Sequence, residues 1–411
     1  MNNRNLSIQS LAVLLLLLLT TACGSVGTRA PQDRYVVVLS CDGFRDSYMD
    51  SFDTPHLRRL AARGVRGEFI PCFPTVTFPN HYSMATGLHP NNHGLVNNTF
   101  WDRKSDKKYS LGDRNAVEDP TFYFGEPIWT TAEKQGIRSA SYFWVGSETA
   151  INGHQPTRWK KFDAKVPFEV RADSVLAWMN LPAAERPRLI MWYLDEPDHT
   201  GHGKGTDSPQ TAKMVARVDS VIGYFYDKMQ TLPYADRVDF IVVSDHGMAN
   251  YYPDRYVNLN DYLNRSDFDF VTEGVPSLLY LKDPSKRGEI LAKLEQVPHI
   301  KAYAREEVPA HLKYGSNPRI GDIVVIPEIG TMVQFREKGV ARTGAAHGYD
   351  NVEPAMHALF VACGPGFRHQ SRKLKAVPNI TLYPLICKLL GIRPAKNDAN
   401  PGDVMILQGR R

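Results

Sequence analysis

Short apolar runs alternate with longer amphipathic segments along most of the chain. The apolar runs predict strands at Tyr35–Cys41, Arg138–Phe143, Leu189–Leu194, Asp239–Ser244, Ser277–Leu281, Asp322–Ile326 and His357–Ala362. The segments between several of them predict helices at Thr54–Arg63, Pro127–Gln135, Val170–Met179, Thr211–Met229 and Arg287–Gln296. Strands that alternate with helices and are apolar along most of their length are typical of a parallel sheet buried on both faces. The pattern therefore predicts an α/β fold with a mostly parallel central sheet and helices on both faces.

One long region interrupts this alternation. Residues from about 250 to 344 lack candidate metal ligands and carry a few short strands with one helix. We expect this region to form a small cap inserted into a domain that spans residues 34–400.

The N-terminal segment has a different character. Leu11–Leu19 is an apolar stretch too short to cross a bilayer comfortably, and small residues follow it, so residues 1–22 are predicted to be a signal peptide. Cys23 comes directly after those small residues, as in a bacterial lipoprotein box, although Thr20 stands where that pattern usually has leucine. Residues 23–33 would then be a flexible tether. We expect a periplasmic or outer-membrane lipoprotein of a Gram-negative bacterium, held to the membrane by a lipid on Cys23. The alternative is simple secretion after cleavage near Ala22.

The composition is that of an ordinary globular protein, and its charge pattern bears only on the kind of molecule the protein binds. The 411 residues are 43% hydrophobic and 23% charged, with a net charge of +5, which is ordinary for a globular protein. No basic cluster is interleaved with aromatic residues, so no nucleic-acid-binding surface is predicted. A small-molecule substrate is favoured over a long polymer.

Acidic and histidine residues follow several of the predicted strands. The candidates are Asp42, Asp198, His202, Asp245, His246 and His347. Ligands of open α/β sheets bind at the carboxyl ends of the strands, so these side chains are expected to meet there. Three carboxylates and three imidazoles are enough for two metal ions with three protein ligands each, and mixed Asp/His sets with open positions suit catalytic Zn²⁺. The sequence therefore predicts a two-metal hydrolase.

Two assignments within this set stay open from the residues alone. Asp198 and His202 would share one face of a helix, but Thr200-Gly201 allows a loop equally well. His199 is the nearest alternative to His202 as a ligand.

Thr77 is the candidate nucleophile. It precedes a helix predicted from Pro79 to Thr86 and has the character of an N-cap residue. A hydroxyl at a helix N-terminus lies where phosphate oxygens also bind, and metal coordination would favour its alkoxide. The alternative is that Thr77 only caps the helix; the six predicted ligands favour the catalytic role.

Longer motifs surround these residues. They are Cys-Asp-Gly-Phe-Arg at Cys41–Arg45, Thr-Phe-Pro-Asn-His-Tyr at Thr77–Tyr82, His-Gly-Leu-Val-Asn-Asn at His93–Asn98, Phe-Trp-Val-Gly-Ser-Glu at Phe143–Glu148, Glu-Pro-Asp-His-Thr-Gly-His at Glu196–His202, Ser-Asp-His-Gly-Met at Ser244–Met248 and Leu-Phe-Val-Ala-Cys-Gly-Pro-Gly-Phe at Leu359–Phe367. From Arg34 to about Arg393 the chain resembles the nucleotide pyrophosphatase/phosphodiesterase family of the alkaline phosphatase superfamily. The resemblance implies an alkaline-phosphatase-like fold. Val145 departs from the family pattern, which usually has proline there.

The resemblance also implies how the metal ligands divide. One Zn²⁺ would be held by Asp198, His202 and His347. The other would be held by Asp42, Asp245 and His246, with Thr77 beside it as nucleophile and ligand.

Three further residues match substrate-binding positions of the family. Asn98, together with the backbone N–H of Thr77, would contact a phosphate oxygen. Phe78 would stack on a nucleotide base, and Phe162 stands on the opposite wall, where relatives usually have tyrosine.

The implied reaction is hydrolysis of nucleotide phosphodiester and pyrophosphate bonds to nucleoside monophosphates through a covalent phosphothreonine. The alternatives within the superfamily are a phosphodiesterase for choline-bearing lipids, a phosphonate hydrolase and a phosphomonoesterase. The absence of a Cys-x-Pro-Ser-Arg motif disfavours a sulfatase. A non-catalytic surface lipoprotein is the alternative from another class, but structural zinc sites usually have four protein ligands, so three-ligand sets favour an enzyme.

Overall fold

The computed structural model describes residues 34–338 and 342–409. The predicted signal peptide at residues 1–22 and the tether at residues 23–33, which includes Cys23, lie outside the described residues and stay predictions. Within the described ranges, no helix has both the length and the apolar character needed to cross a membrane.

Strands and helices alternate over roughly the first half of the described chain, up to residue 243. The strands are β1 (Tyr35–Cys41), β2 (Val65–Ile70), β3 (Thr99–Asp102), β4 (Lys107–Ser110), β5 (Ser139–Tyr142), β6 (Arg158–Lys160), β7 (Leu189–Leu194), β8 (Val238–Val243), β9 (Ala249–Tyr251), β10 (Tyr256–Asn258), β11 (Phe268–Val271), β12 (Ser277–Leu281), β13 (Ile300–Ala304), β14 (Ile323–Pro327), β15 (Met332–Gln334), β16 (Gly344–Ala346), β17 (Ala358–Cys363) and β18 (Val377–Pro378). The helices are α1 (Tyr48–Ser51), α2 (Pro55–Arg63), α3 (Thr77–Thr86), α4 (Pro90–His93), α5 (Arg114–Val117), α6 (Ile128–Lys134), α7 (Phe168–Met179), α8 (Asp198–Lys204), α9 (Pro209–Met229), α10 (Arg287–Leu294), α11 (Leu382–Leu390) and α12 (Pro401–Leu407).

The central sheet has eight strands in the order β18-β2-β17-β8-β1-β7-β5-β6. β1 pairs in parallel with both β7 and β8 at its centre. Among the described strands of this sheet, only β17 runs antiparallel to its neighbours, β2 and β8. The predicted mostly parallel sheet is confirmed.

Both faces of the sheet are covered by helices, as the apolar strands predicted. Along β1, Val36 and Val38 point into one hydrophobic cluster, which also contains residues of α3 and α11. Val37 and Leu39 point into the opposite cluster, with residues of α2, α7 and α9. Side chains alternate across a strand, so a run that is apolar at every position can bury both of its faces.

A separate four-stranded sheet lies within the region predicted as an inserted cap. Its order is β11-β12-β14-β13, and its pairs are antiparallel. Leu279 and Val325 pack with Ile290 of α10 in a hydrophobic cluster of its own. The strands predicted at Ser277–Leu281 and Asp322–Ile326 therefore belong to this sheet rather than to the central one. A cap function for residues 250–344 stays a prediction.

One strand and one boundary differ from expectation. β2 was not predicted, because Arg66 and Glu68 are half-buried between buried neighbours and break the apolar run. Helix α12 lies beyond the predicted domain end at residue 400, and it packs Val404 and Leu407 into the main hydrophobic cluster.

Candidate active site

The six predicted ligands converge at one end of the central sheet. Asp42 follows β1, and Asp245-His246 follows β8, its neighbour in the sheet. Asp198 and His202 lie on α8, so the helical alternative for that segment is the observed one. His347 follows β16, which packs against α8 and brings the chain back to the same place.

The first group of candidate ligands is Asp42, Asp245 and His246, which lie around the ring of His246. Its Nε2 lies 3.2 Å from Asp245 Oδ2 and 3.4 Å from Asp42 Oδ1. The Thr77 hydroxyl donates to the same Nε2 at 3.2 Å. All three ligand side chains are almost fully buried.

The second group lies beside it. His202 Nε2 is 3.1 Å from His347 Nε2 and 3.4 Å from Asp198 Oδ2. Asp198 Oδ1 lies 3.6 Å from His347 Nε2. The rings of His246 and His347 stack with centroids 3.7 Å apart, so the two groups are contiguous.

Hydrogen bonds orient all three imidazoles for metal binding. The Nδ1–H of His202, His246 and His347 donates to the backbone carbonyl of Ala345, Gly247 and Thr75, at 2.8, 2.8 and 3.0 Å respectively. A carbonyl oxygen only accepts, so Nδ1 carries the proton and the lone pair of each Nε2 faces the other ligands. This is the arrangement usual for metal-bound histidine.

The carboxylates show the complementary feature. Asp42 Oδ1, Asp198 Oδ1 and Asp245 Oδ2 are buried and have no hydrogen-bond partner within the described part of the chain. Buried carboxylate oxygens are rarely left unpartnered unless a cation or water satisfies them. One free oxygen on each of three clustered carboxylates fits a pair of divalent cations.

Electrostatics favours the same interpretation. Burial raises the pKa of Asp42, and the charges of Asp245 and Asp198 raise it further. Burial also lowers the pKa of His347, as do the neighbouring His246 and His202. Burial opposes ionisation of Asp245 as well, but the imidazoles of His246 and His81 outweigh it and hold its pKa below the usual value. Clustered like charges in a buried site are stabilised by cations.

Thr77 is placed differently from the predicted N-cap. Helix α3 begins at Thr77 itself, and Val76 occupies the cap position, where no side chain in the described ranges caps the helix. The N-cap assignment is therefore wrong by one residue. As the first helical residue, Thr77 directs its hydroxyl to His246 instead of to a backbone N–H of its own helix.

A cavity of about 280 Å³ opens beside the ligands. Its lining contains Asp42, Thr77, Phe78, Asn98, Leu111, Arg114, Val117, Phe143, Val145, Gly146, Glu148, Phe162, Tyr193, Asp198, His202 and His347. All three predicted substrate-binding residues, Phe78, Asn98 and Phe162, are among them. Asn98 Oδ1 accepts a hydrogen bond from the N–H of Phe78 at 2.9 Å. This contact fixes the side-chain amide, so its NH2 group is left to act as a donor.

Several lining residues were not anticipated from the sequence. Tyr193 donates its hydroxyl to Asp42 Oδ2 at 2.5 Å. Arg114 forms an ion pair with Glu148, and the Glu148 carboxylate accepts the N–H of Phe162 at 3.3 Å. These residues are far apart in the sequence, and no local pattern distinguishes Tyr193 or Arg114 from other aromatic or charged residues. Only Glu148 lies in a motif noted in the sequence, Phe143–Glu148.

Comparisons with known proteins find related sequences over most of the chain. The model of the type I phosphodiesterase / nucleotide pyrophosphatase family matches residues 36–350. The venom phosphodiesterase CdcPDE of Crotalus durissus collilineatus is 34% identical over 398 aligned residues, which cover 93% of this chain and 48% of that protein. The chain thus spans about half the length of this relative.

Solved structures extend the similarity to the fold. Murine ectonucleotide pyrophosphatase/phosphodiesterase 5 superposes with a TM-score of 0.86 at 31% identity, over 91% of this chain and all of the other. An inactive threonine-to-alanine variant of that murine protein, in complex with AMP, also superposes with a TM-score of 0.86, at 30% identity over 91% of this chain and all of the other. The predicted alkaline-phosphatase-like α/β fold is confirmed. On this evidence the chain belongs to the type I phosphodiesterase / nucleotide pyrophosphatase family.

Proposed function

We propose that this protein hydrolyses phosphodiester and pyrophosphate bonds of nucleotides and releases nucleoside monophosphates. The observation that carries the proposal is the position of Thr77, whose hydroxyl contacts His246 among six Asp and His side chains. The same threonine lines a cavity with two aromatic side chains, Phe78 and Phe162. A nucleophile, an anion site and stacking surfaces thus lie within one cavity.

The donor set supports two Zn²⁺ ions. Asp198, His202 and His347 would hold one, and Asp42, Asp245 and His246 the other, with Thr77 beside the second. When bound, such a pair supplies Lewis acidity that favours the threonine alkoxide and neutralises charge on the attacking and leaving oxygens.

The residues of the chain then divide the reaction between them. Thr77 Oγ attacks phosphorus in line, the bond from phosphorus to the leaving oxygen breaks, and a nucleotidyl-threonine remains. A water oxygen later bonds to phosphorus as the bond between Thr77 Oγ and phosphorus breaks. The nucleoside monophosphate leaves, and a proton from that water restores the Thr77 hydroxyl. The Asn98 amide NH2 and the backbone N–H of Thr77, at the start of α3, donate to a nonbridging phosphate oxygen.

Base recognition would come from the aromatic walls. Phe78 and Phe162 both line the cavity, and stacking between them tolerates any base because every base has a π face. The murine relative was solved in complex with AMP, which supports a nucleotide as the ligand of this protein. That relative is inactive with alanine in place of one threonine, which supports a reaction that depends on a threonine, and Thr77 is the threonine beside His246.

The test is a substrate panel on three matched proteins. Wild type should cleave a nitrophenyl ester of a nucleoside monophosphate and ATP faster than nitrophenyl phosphate. Thr77→Ser keeps a hydroxyl and should retain measurable turnover, whereas Thr77→Ala should lose at least about a thousandfold in kcat, as enzymes do without their nucleophile. Preferred cleavage of the monoester, or full activity in Thr77→Ala, would contradict the proposal.

We further infer that the protein is exported and held at a membrane by a lipid on Cys23. The pattern of residues 1–23 supports this, as described above. The N-terminal peptide of the mature protein should carry acyl chains on Cys23 by mass spectrometry, and Cys23→Ser should release the protein from membranes. An unmodified mature N-terminus near residue 22 would instead indicate simple secretion.

A further inference from the structure

His81 contacts the candidate site without lining its cavity. It lies in the second turn of α3, four residues after Thr77, and its side chain is fully buried. Its Nδ1 is 2.9 Å from the Thr77 carbonyl oxygen and 3.3 Å from Asp245 Oδ2. Its Nε2 is 2.9 Å from Ser40 Oγ. One imidazole therefore joins the helix that carries the nucleophile to the ends of β1 and β8.

The partners of His81 fix its protonation pattern. The Thr77 carbonyl and the Asp245 carboxylate can only accept, so Nδ1 carries the proton. Nε2 then accepts from the Ser40 hydroxyl. Two edge-to-face ring contacts, with Trp144 at 5.2 Å and Tyr193 at 5.1 Å, hold the ring in this orientation.

Asp245 is held in a matching way. Its Oδ1 accepts from the Gly43 N–H and from the Ser244 hydroxyl, each at 3.2 Å. Its Oδ2 faces His81 Nδ1 and His246 Nε2 without a hydrogen bond to any described residue. The oxygen expected to bind metal is thus the one beside the His81 N–H.

We propose that His81 is a positioning residue that aligns Thr77 and Asp245 with each other. Through the Thr77 carbonyl it fixes the first turn of α3, and its Nδ1–H dipole, 3.3 Å from Asp245 Oδ2, attracts the carboxylate that follows β8. Neither contact reaches the reacting atoms, so His81 acts through its neighbours. This inference rests on the proposed function, because it assumes that Asp245 binds a metal ion and that Thr77 is the nucleophile.

Two substitutions separate the contacts of the ring. In His81→Asn the amide nitrogen can take the place of Nδ1, so the donor to the Thr77 carbonyl is kept close to Asp245 Oδ2, and the Ser40 contact is lost. In His81→Gln the amide reaches the place of Nε2, so the Ser40 contact is kept and the donor is lost. If His81 only filled space, the two substitutions would have similar effects on zinc affinity and kcat, whether small or large.

His93 offers a matched control. It is also fully buried, and its Nε2 lies 2.9 Å from a serine hydroxyl, that of Ser83, but it is not among the residues that line the cavity. His93→Asn and His93→Gln therefore report the cost of replacing a buried, serine-bonded histidine away from the ligands.

The experiment measures zinc affinity by competition with a chromophoric chelator, together with kcat and KM on a nitrophenyl nucleotide. We expect His81→Gln to weaken one of the two zinc sites about 10- to 100-fold and to lower kcat more than it changes KM. His81→Asn should recover most of both losses, and the His93 variants should bind zinc as wild type does. Equal behaviour of His81→Asn and His81→Gln, or equal zinc loss in the His93 variants, would overturn the proposal.

Failure of the proposed function would look different. If the wild-type protein binds no zinc, or if the Thr77→Ala variant turns over substrate normally, the basis for both proposals is removed. Should the His81 variants not fold, a crystal structure of the zinc-loaded wild type decides. We expect Asp245 Oδ2 on zinc and His81 Nδ1 still within hydrogen-bond distance of the Thr77 carbonyl, and a ring turned away from both would overturn the inference.

Discussion

The crowded carboxylates make the stability of the metal-free protein depend on a single charge. Asp42 is 3% exposed, and its candidate ligand oxygen lies within 4.8 Å of that of Asp245. At an effective dielectric constant of about 20, two charges at that separation repel by about 3.5 kcal/mol. Asp42→Asn removes this repulsion and keeps the shape of the side chain. The Tyr193 hydrogen bond becomes a bond to a neutral acceptor, which costs about 1 kcal/mol.

We therefore expect opposite effects of Asp42→Asn without and with metal. In excess EDTA at neutral to mildly alkaline pH, the variant should be more stable than wild type by about 2.5 kcal/mol. In excess zinc, wild type should be the more stable protein, because only it binds both ions fully and ligand binding stabilises the folded state. A substitution that merely damaged the fold would be destabilising in both conditions.

The stability difference between Asp42→Asn and wild type in EDTA should also depend on pH. The pKa of Asp42 in the metal-free fold lies above its ordinary value, mainly because the group is buried. Its contribution to stability is then fully present below the unfolded pKa of about 4 and is lost as the pH rises through the folded pKa. The advantage of Asp42→Asn in EDTA should thus be small near pH 4 and should grow as the pH rises.

Urea unfolding followed by far-ultraviolet circular dichroism measures these differences. Asp53→Asn is the control, because Asp53 is exposed and such surface changes stay within about 0.5 kcal/mol. A variant that is less stable than wild type in both EDTA and zinc would refute the reasoning.

Three further outcomes are expected. Phe162→Ala should raise KM for nucleotides roughly 5- to 150-fold while leaving the KM for a small nitrophenyl diester nearly unchanged, because it removes about 1–3 kcal/mol of base stacking; equal effects on both substrates in steady-state assays would contradict this. Asn98→Ala should lower kcat about 100-fold with an unchanged zinc count by elemental analysis, because a donor to the phosphate is lost; loss of zinc would point to a structural role instead. Burial raises the pKa of Asp239 from 3.8 to about 6, although the Gly366 N–H and Arg34 oppose the shift, so its stabilising contribution is present below about pH 4 and lost as the pH rises through about 6. Urea unfolding should show Asp239→Asn gaining on wild type by up to about 3 kcal/mol between pH 4 and 7.5, and a difference independent of pH would refute that assignment.

The convergence of the candidate metal ligands was predictable, because metal-binding residue types stand in the sequence where the predicted strands end. Asp42 and the Asp245-His246 pair come directly after apolar runs, and parallel strands bring their carboxyl ends to one edge. These apolar runs could be recognised as strands because strands buried on both faces are apolar at nearly every position.

The remaining features depend on contacts that no local pattern encodes. β2 alternates buried and half-buried residues and so lacked the continuous run. His81 lies within a helix and Tyr193 within an apolar strand, and each becomes relevant only because the fold places it against a ligand. The one-residue error at Thr77 reflects the difficulty of locating a helix start, since the neighbouring Val76 rather than a polar residue occupies the cap position.

The most direct test is a zinc count on the same wild-type and Thr77→Ala preparations whose turnover of a nitrophenyl nucleotide is measured. We expect two zinc ions per chain in both proteins, with turnover confined to wild type. An active wild-type protein with fewer than two metal ions, or a Thr77→Ala protein that turns over as fast as wild type, would contradict a two-metal site built around a threonine nucleophile.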